Sequence, residues 1–273
     1  MTSQRHVVHR FADPAALGRA LGAEIADRIE PSLAAGGRFV LGCPGGRTPT
    51  STIAALADDL GRRRLDLRGL VIAMMDDYLE PRADGWRAVD AAAHHSCRRF
   101  AREEIQAVLN SRTDASTTIP DANVWFPDPA SPADYDARLA DAGGIDFFIL
   151  ASGAGDGHVA FNPPGSSRES RTRVVELAKQ TRMDNLATFP DFTGLDEVPT
   201  HGITVGIATI AEQSAAAAMV LIGADKQTAF RRLTAGDGYD PDWPATVYRL
   251  IDGAALYVDA AAAPTTDPEH PDR

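Results

Sequence analysis

Three stretches of this chain hold residue types that could work together on one small anionic ligand. The first reads FVLGCPGGRTPT over residues 39–50. An apolar run enters Gly42, Pro44, Gly45 and Gly46, and a helix is expected over Pro49 to Leu60, with Thr48 as N-cap and Pro49 at its first position. Free N–H groups and the helix dipole at such a point favour an anion. Glycine lets the backbone come close to it, and Arg47 could add a bidentate contact. The Lys-Ser/Thr pair of a P-loop is missing, and GxGxxG is missing too. Taken alone, a glycine-rich turn serves equally as a tight entry to a capped helix; Arg47 inside it points towards an anion.

The second stretch reads LVIAMMDDY over residues 70–78. Neighbouring carboxylates on an extended strand face opposite ways. One of Asp76 and Asp77 can therefore face a cleft as a general base while the other is structural; two loop caps are the alternative. Partial desolvation would raise the cleft-facing carboxyl towards the range useful for proton abstraction. The third stretch reads IDFFILASGAGDGHVAFNPPG over residues 145–165. Asp156 and His158 lie two apart in a glycine-rich loop, where the carboxylate can orient the imidazole as a proton shuttle. His94 and His95 are adjacent and do not form HExxH. Two cysteines, Cys43 and Cys97, are too few for a disulfide framework or a four-thiolate zinc site. No metal is expected.

These stretches need strands to carry them. Phe39–Leu41, Leu70–Met75, Ile145–Leu150, Ala218–Ile222 and Ala255–Val258 are short, continuous apolar runs, as strands covered on both faces require. Helical segments lie between them: Leu17, Leu21, Ile25 and Ile29 mark one face of the first. Ala88 to Leu109, Ala133 to Ala142 and Asp225 to Leu233 supply others. The alternation predicts an α/β fold: a doubly wound, mostly parallel sheet with helices on both faces, a Rossmann-like three-layer sandwich. In such sheets ligands bind at the carboxyl ends of strands, where all three stretches fall. One domain is expected over residues 1–260, followed by a disordered, Pro-rich tail over 261–273.

Composition narrows the partners. In 273 residues, 27 Lys and Arg stand against 38 Asp and Glu, a formal net charge of −11. Most of the surface therefore repels nucleic acid and anionic lipid, and neither is expected as a partner. Any anion site must be built from a few named cations and N–H groups. No apolar run reaches the length of a membrane span. The opening MTSQRHVVHRFADP lacks the apolar region of a secretory leader, and residues 1–14 are too few for a DNA-binding helix-turn-helix. A cytoplasmic protein is expected.

Together, PGGRTP, MMDDY, DGHVAFNPPGSSRESRTR, THGITVG and LIGADKQTA occur in the order and approximate spacing of the glucosamine-6-phosphate deaminase/isomerase family. The resemblance covers about residues 10 to 260. Tyr78 and Val159–Ala160–Phe161 set the chain apart from the sister 6-phosphogluconolactonases, which resemble it in fold. The resemblance implies an aldose–ketose type enzyme acting on an amino-sugar phosphate, with ring opening, an enediol intermediate and release of ammonia. It implies no cofactor, a small anionic sugar as partner, and is compatible with a homo-oligomer. Asp76 falls on the base that moves a proton between C2 and C1, with Asp77 as the neighbouring acid. Asp156 and His158 fall on the ring-opening pair. Gly45, Gly46, Arg47 and Thr48 fall on the phosphate loop and Lys226 on a phosphate-binding lysine. Arg171, Arg173 and Arg182 match family positions, as ligands or as loop braces. His201, Trp125 and Trp243 read as packing residues, and Trp86 as packing or part of a lid.

Three positions depart from the family pattern. Pro163 stands where a Glu commonly completes the ring-opening relay, and proline offers neither a carboxylate nor an N–H. Arg47 stands at the usual Ser of the phosphate loop. Ala187 stands at a usual Arg. Either Arg47 takes over the anion, or the substrate differs; arginine and serine differ too much in reach to be equivalent. Isomerisation without loss of ammonia, lactone hydrolysis and sugar-phosphate binding without catalysis are the competing functions.

Overall fold

Strands with apolar side chains on both faces must be covered on both faces. In the computed structural model, which describes residues 7–264, helices provide that cover. Seven strands form the main sheet: β1 (Val7–Phe11), β2 (Phe39–Cys43), β3 (Leu70–Met74), β6 (Val124–Trp125), β7 (Phe147–Ala151), β10 (Ala217–Leu221) and β11 (Ala254–Asp259). Their order is β1-β11-β10-β7-β2-β3-β6, and each neighbouring pair is parallel.

Alternate strand residues feed two cores. Leu41, Ile72, Ile149 and Val220 pack with α1 (Pro14–Ala34) and α2 (Thr50–Arg63). Val40, Val71, Phe148 and Met219 pack with α5 (Pro132–Asp141), α7 (Ile207–Gln213) and α8 (Gln227–Thr234). Leu17, Leu21, Ile25 and Ile29 are buried on α1, as their spacing predicts. Asp13 caps that helix, accepting from the Ala16 N–H at 2.7 Å. Gly18 lets α1 lie close to α2, because a Cβ there would sit 2.6 Å from the Ser51 carbonyl oxygen.

The strand-rich core matches the sequence reading, but several boundaries do not. α2 begins at Thr50, and no side chain caps it. Thr48 is not its N-cap, because residues 47–50 form a turn in which the Thr50 N–H and hydroxyl both bond the Arg47 carbonyl. The long helix expected from Ala88 starts only at Cys97. Ala88 ends strand β5 (Gly85–Ala88), and Ser96 caps the helix by accepting from the Arg99 N–H. That helix runs as α3 (Cys97–Phe100), a π-helical segment over Ala101–Gln106, and α4 (Ala107–Asn110). The boundary at residue 260 also falls too early. Ala262 and Ala263 are buried, and the Ala262 N–H donates to Asp259. Residues 265–273 of the expected tail lie outside the described residues.

A second sheet was not anticipated. β4 (Asp76–Arg82), β5 (Gly85–Ala88), β8 (Arg173–Glu176) and β9 (His201–Thr204) form an antiparallel sheet in the order β5-β4-β9-β8. These strands are short, and β5 and β8 are half exposed, so they lack the continuous apolar signature of the main sheet. Helix α6 (Lys179–Thr188) follows β8. The chain direction across the main sheet reverses between β2 and β7, and at such a switch point the loops after the two strands diverge and leave a crevice. Among the described residues no helix is long and apolar enough to cross a membrane.

Candidate active site

The crevice at that switch point holds a cavity of about 250 Å³. The loop after β2 supplies Gly45, Gly46, Arg47 and Thr48; the loop after β7 supplies Ser152, Gly153 and His158. Lys226 enters from the segment after β10, its Nζ donating to the Ser152 carbonyl oxygen at 3.0 Å. Asp76 and Tyr78 come from β4, Cys97 from the start of α3, and Thr181, Asp184, Asn185 and Thr188 from α6. Arg47 spans the mouth, where its Nη2 donates to the Thr188 carbonyl oxygen at 2.9 Å. Its guanidinium therefore lies against the chain at residue 188, next in sequence to the position at which the family resemblance expects a different arginine.

The loop after β7 is shaped around one imidazole. His158 Nδ1 lies 2.7 Å from Asp156 Oδ1. The Nδ1 proton is thereby committed to the carboxylate, which leaves Nε2 for the cavity. Burial pushes the Asp156 carboxyl up, but the His158 hydrogen bond, its charge and its backbone N–H outweigh that and hold it below the usual range. A Cβ on Gly153 would collide with both members of the pair, so glycine is required there. Gly157 has φ +65 and lies under the Trp243 ring, which likewise excludes a side chain. Asn162 pins the next turn by donating to the carbonyls of Val159 and Val205, and accepts from Arg173. Within that turn Ala160 is held at φ 50, a costly conformation for a residue other than glycine.

The two carboxylates of β4 separate as strand geometry requires. Asp76 is 5% exposed and lines the cavity. Burial, reinforced by the charge of Asp77, pushes its carboxyl up to about 7. Asp77 is fully buried on the opposite face, where Arg98 Nε donates to its Oδ2 at 2.8 Å and the Tyr78 N–H to its Oδ1. Asp77 does not line the cavity, so its expected substrate contact is corrected: its partner is Arg98. Burial raises it to about 6 against the opposing pull of that guanidinium.

Arg182 is likewise turned away. Its Nη2 donates to the carbonyls of Leu195 and Val198, and it does not line the cavity, so it braces a loop and is not placed to bind substrate. Arg171 pairs with Glu212 at the surface. Trp86 stacks on His201 at 4.0 Å between ring centroids, away from the cavity lining. Pro163 does not line the cavity either. The sequence reading did not place Cys97, Tyr78, Ser152, Thr181 or Asn185 in the site, although it named Tyr78 and Cys97 for other reasons. For Cys97 a signal existed: Ser96 as N-cap, and the i, i+4 series Cys97, Ala101, Ile105 and Leu109, all buried.

The arrangement couples a cradle of N–H groups and cations to a carboxyl that titrates near neutrality and an imidazole on a carboxylate. It can hold an anionic molecule and move protons between neighbouring atoms. The model of the family described as "Glucosamine-6-phosphate isomerases/6-phosphogluconolactonase" matches residues 12–256. A glucosamine-6-phosphate deaminase from Beutenbergia cavernae is 33% identical over 262 residues, 94% of this chain and 90% of its own. One from Mycolicibacterium smegmatis is 44% identical over 135 residues, half of each chain. A monomeric glucosamine-6-phosphate deaminase of known structure superposes with a TM-score of 0.77 at 25% identity, covering 94% of this chain and 98% of its own. Solved 6-phosphogluconolactonases share the fold at lower identity.

Proposed function

The chain belongs to the glucosamine-6-phosphate isomerase/6-phosphogluconolactonase family, and from that premise we propose an enzyme that converts a glucosamine-6-phosphate-like amino sugar into a ketose phosphate and ammonia. The carrying observation is convergence. Asp76, the Asp156–His158 pair, Arg47 and Lys226 line or brace one cavity at the switch point of the sheet. The deaminase relatives that match over nearly the whole chain support the same reading. We propose a cytoplasmic enzyme whose partner is a small anionic sugar.

The phosphate is held by the N–H groups of residues 45–48, by Arg47 and by Lys226. Arg47 exchanges its carbonyl partner on Thr188 for a phosphate oxygen, a charge-assisted and stronger bond. His158, oriented by Asp156, takes the C1 hydroxyl proton on Nε2 and delivers it to the ring oxygen as the bond from C1 to that oxygen breaks, which opens the sugar to its C1 aldehyde. Asp76 then takes the proton from C2, next to the C1 aldehyde, and the electron pair moves to the C1 oxygen to give an enolamine. A carboxyl near pKa 7 is present in both forms at neutral pH, so it can accept that proton and return it to C1. Water adds to the resulting iminium at C2, and ammonia leaves with one proton, giving the ketose phosphate.

The test is to supply glucosamine 6-phosphate in D₂O and follow ammonia, ketose and deuterium at C1. Ammonia and ketose in equal amounts are expected, with solvent deuterium in the ketose. A protein that binds the sugar phosphate without exchanging any carbon-bound hydrogen would sink the proposal. One observation favours a second reading, isomerisation without loss of ammonia: Pro163 supplies no carboxylate to the ring-opening relay, and it lies off the cavity lining. Exchange and ketose formation from a hexose 6-phosphate, with no ammonia from the amino sugar, would select it.

A further inference from the structure

The start of α3 touches both carboxylates of β4 with consecutive residues. Arg98 pairs with Asp77, and the Cys97 thiol lies 3.7 Å from Asp76 Oδ1. Among the described residues, Cys97 is the only side chain that donates a hydrogen bond to Asp76. Gly45 closes the other side of the same oxygen. A Cβ on Gly45 would lie 3.0 Å from Asp76 Oδ1 and 2.8 Å from Cys97 Sγ. The carboxylate thus sits against both a thiol and a glycine backbone. Cys97 is itself 2% exposed and lines the cavity. Burial and the adjacent carboxylates push its thiol well above the usual range, so it stays protonated and remains a donor.

We propose that Cys97 is a positioning residue for Asp76, its S–H holding the carboxylate aimed at the substrate and favouring the ionised base. The inference rests on Asp76 being the base of the proposed reaction. Other charged and titratable groups share the setting: Asp77 and Tyr78 on β4, Tyr135 on α5, and Arg47, Lys226 and His158 around the cavity. None of these is altered by replacing the sulfur, so the donor can be varied alone.

The test is the pH profile of the C2–C1 hydrogen exchange in Cys97→Ala and Cys97→Ser, with Asp76→Asn as control. A thiol is a weaker donor to an ionised acceptor than a hydroxyl. Losing it in Cys97→Ala should move the acidic limb up by about half a pH unit to one unit. kcat at pH 7 should fall several-fold with KM nearly unchanged. In Cys97→Ser the stronger hydroxyl donor should move the limb the other way and restore most of kcat. Opposite displacements in the two variants support the proposal, because lost packing alone would not reverse sign. If Cys97→Ala fails to fold, the downward displacement in Cys97→Ser carries the test. A limb fixed at the wild-type pH in the folded variants, whatever their melting temperatures, overturns the inference while leaving Asp76 as base. Undiminished exchange in Asp76→Asn removes the base and this inference together.

Discussion

The cavity has a floor and a roof built from different sheets. The floor is the carboxyl edge of the parallel sheet, where glycine N–H groups, Arg47, Lys226 and the Asp156–His158 pair are presented by loops after β2, β7 and β10. The roof is the antiparallel sheet with the start of α3 and helix α6, and it brings Asp76, Tyr78 and Cys97. Arg47 is exposed, whereas Asp76, Tyr78 and Cys97 are buried. The difference separates two tasks. An anion must exchange with water, so its cations sit near solvent. A proton must move at a pH set by the protein, so its carboxyl sits out of water, where desolvation tunes it. Roof variants should therefore alter kcat and pH dependence, and variants of the anion cradle should alter affinity.

The largest effect is expected from the roof. Asp76→Asn should lower hydrogen exchange and turnover about 10²–10⁴-fold, while KM for glucosamine 6-phosphate changes little. Wild-type activity should fall as pH drops below about 7, because the base is then protonated. Stability gives an independent check of the same carboxyl. Its folded pKa of about 7 lies above the unfolded value of about 3.9, so the native state binds this proton more tightly than the unfolded chain. The contribution of Asp76 to stability is full at pH below about 4 and is lost as pH rises to 7. Asp76→Asn should consequently melt higher than wild type at pH 8, with the gain shrinking towards pH 4. An inactive variant with no such gain would mean that the wild-type carboxyl is not desolvated as the roof geometry requires.

On the floor, Gly153→Ala is the sharpest break. Its Cβ would strike His158 Nδ1 and Asp156 Oδ1. Turnover should fall about 10²-fold, the weight of one positioned proton carrier. A variant that stays folded and keeps full turnover would remove the pair from ring opening. Arg47→Ala comes next. It should raise KM for the sugar phosphate about ten-fold or more, as expected for a lost charge-assisted bond, and leave kcat within a few-fold. Unaltered affinity would place the anion elsewhere.

The two sides also differ in how much could be read from sequence. The main sheet was legible because Leu70–Met74 and Phe147–Leu150 are unbroken apolar runs that only a doubly covered strand explains. The floor motifs follow such runs, so Gly45, Arg47 and His158 were readable at strand ends, with Lys226 implied by the family resemblance; Asp76 on the roof was readable for the same reason, because it closes the Leu70–Met75 run. The roof carries little such signal. β4 reads DDYLEPR and β8 reads RVVE, patterns equally at home in loops. The charge of Asp77 and Arg182 was legible but not its direction: Arg98 draws one inwards, and the carbonyls of Leu195 and Val198 hold the other. Cys97 was read only as one of too few thiols for a disulfide framework or zinc site; its helical spacing marks it as buried, but nothing in the sequence links it to Asp76, 21 residues away.

The smallest effect is expected where roof and floor meet. Thr181 on α6 is 4% exposed, and its Oγ1 lies 3.5 Å from Asp156 Oδ2 and 3.4 Å from His158 Nδ1. Both contacts are long for hydroxyl hydrogen bonds, so each is weak and the dyad's own 2.7 Å bond dominates. Their direction still matters. The hydroxyl can donate to Asp156 and leave the Nδ1 proton on the imidazole, which keeps Nε2 free for the substrate. Thr181→Val fills nearly the same volume without the hydroxyl. It should cost about two- to five-fold in kcat, the low end for a single net hydrogen bond, with KM unchanged, because α6 keeps its Thr188 carbonyl for Arg47. A rise in KM instead would show that Thr181 acts by seating α6 over the anion. The roof would then govern affinity as well as chemistry, and the division of tasks between the two sheets would fail where α6 meets the dyad.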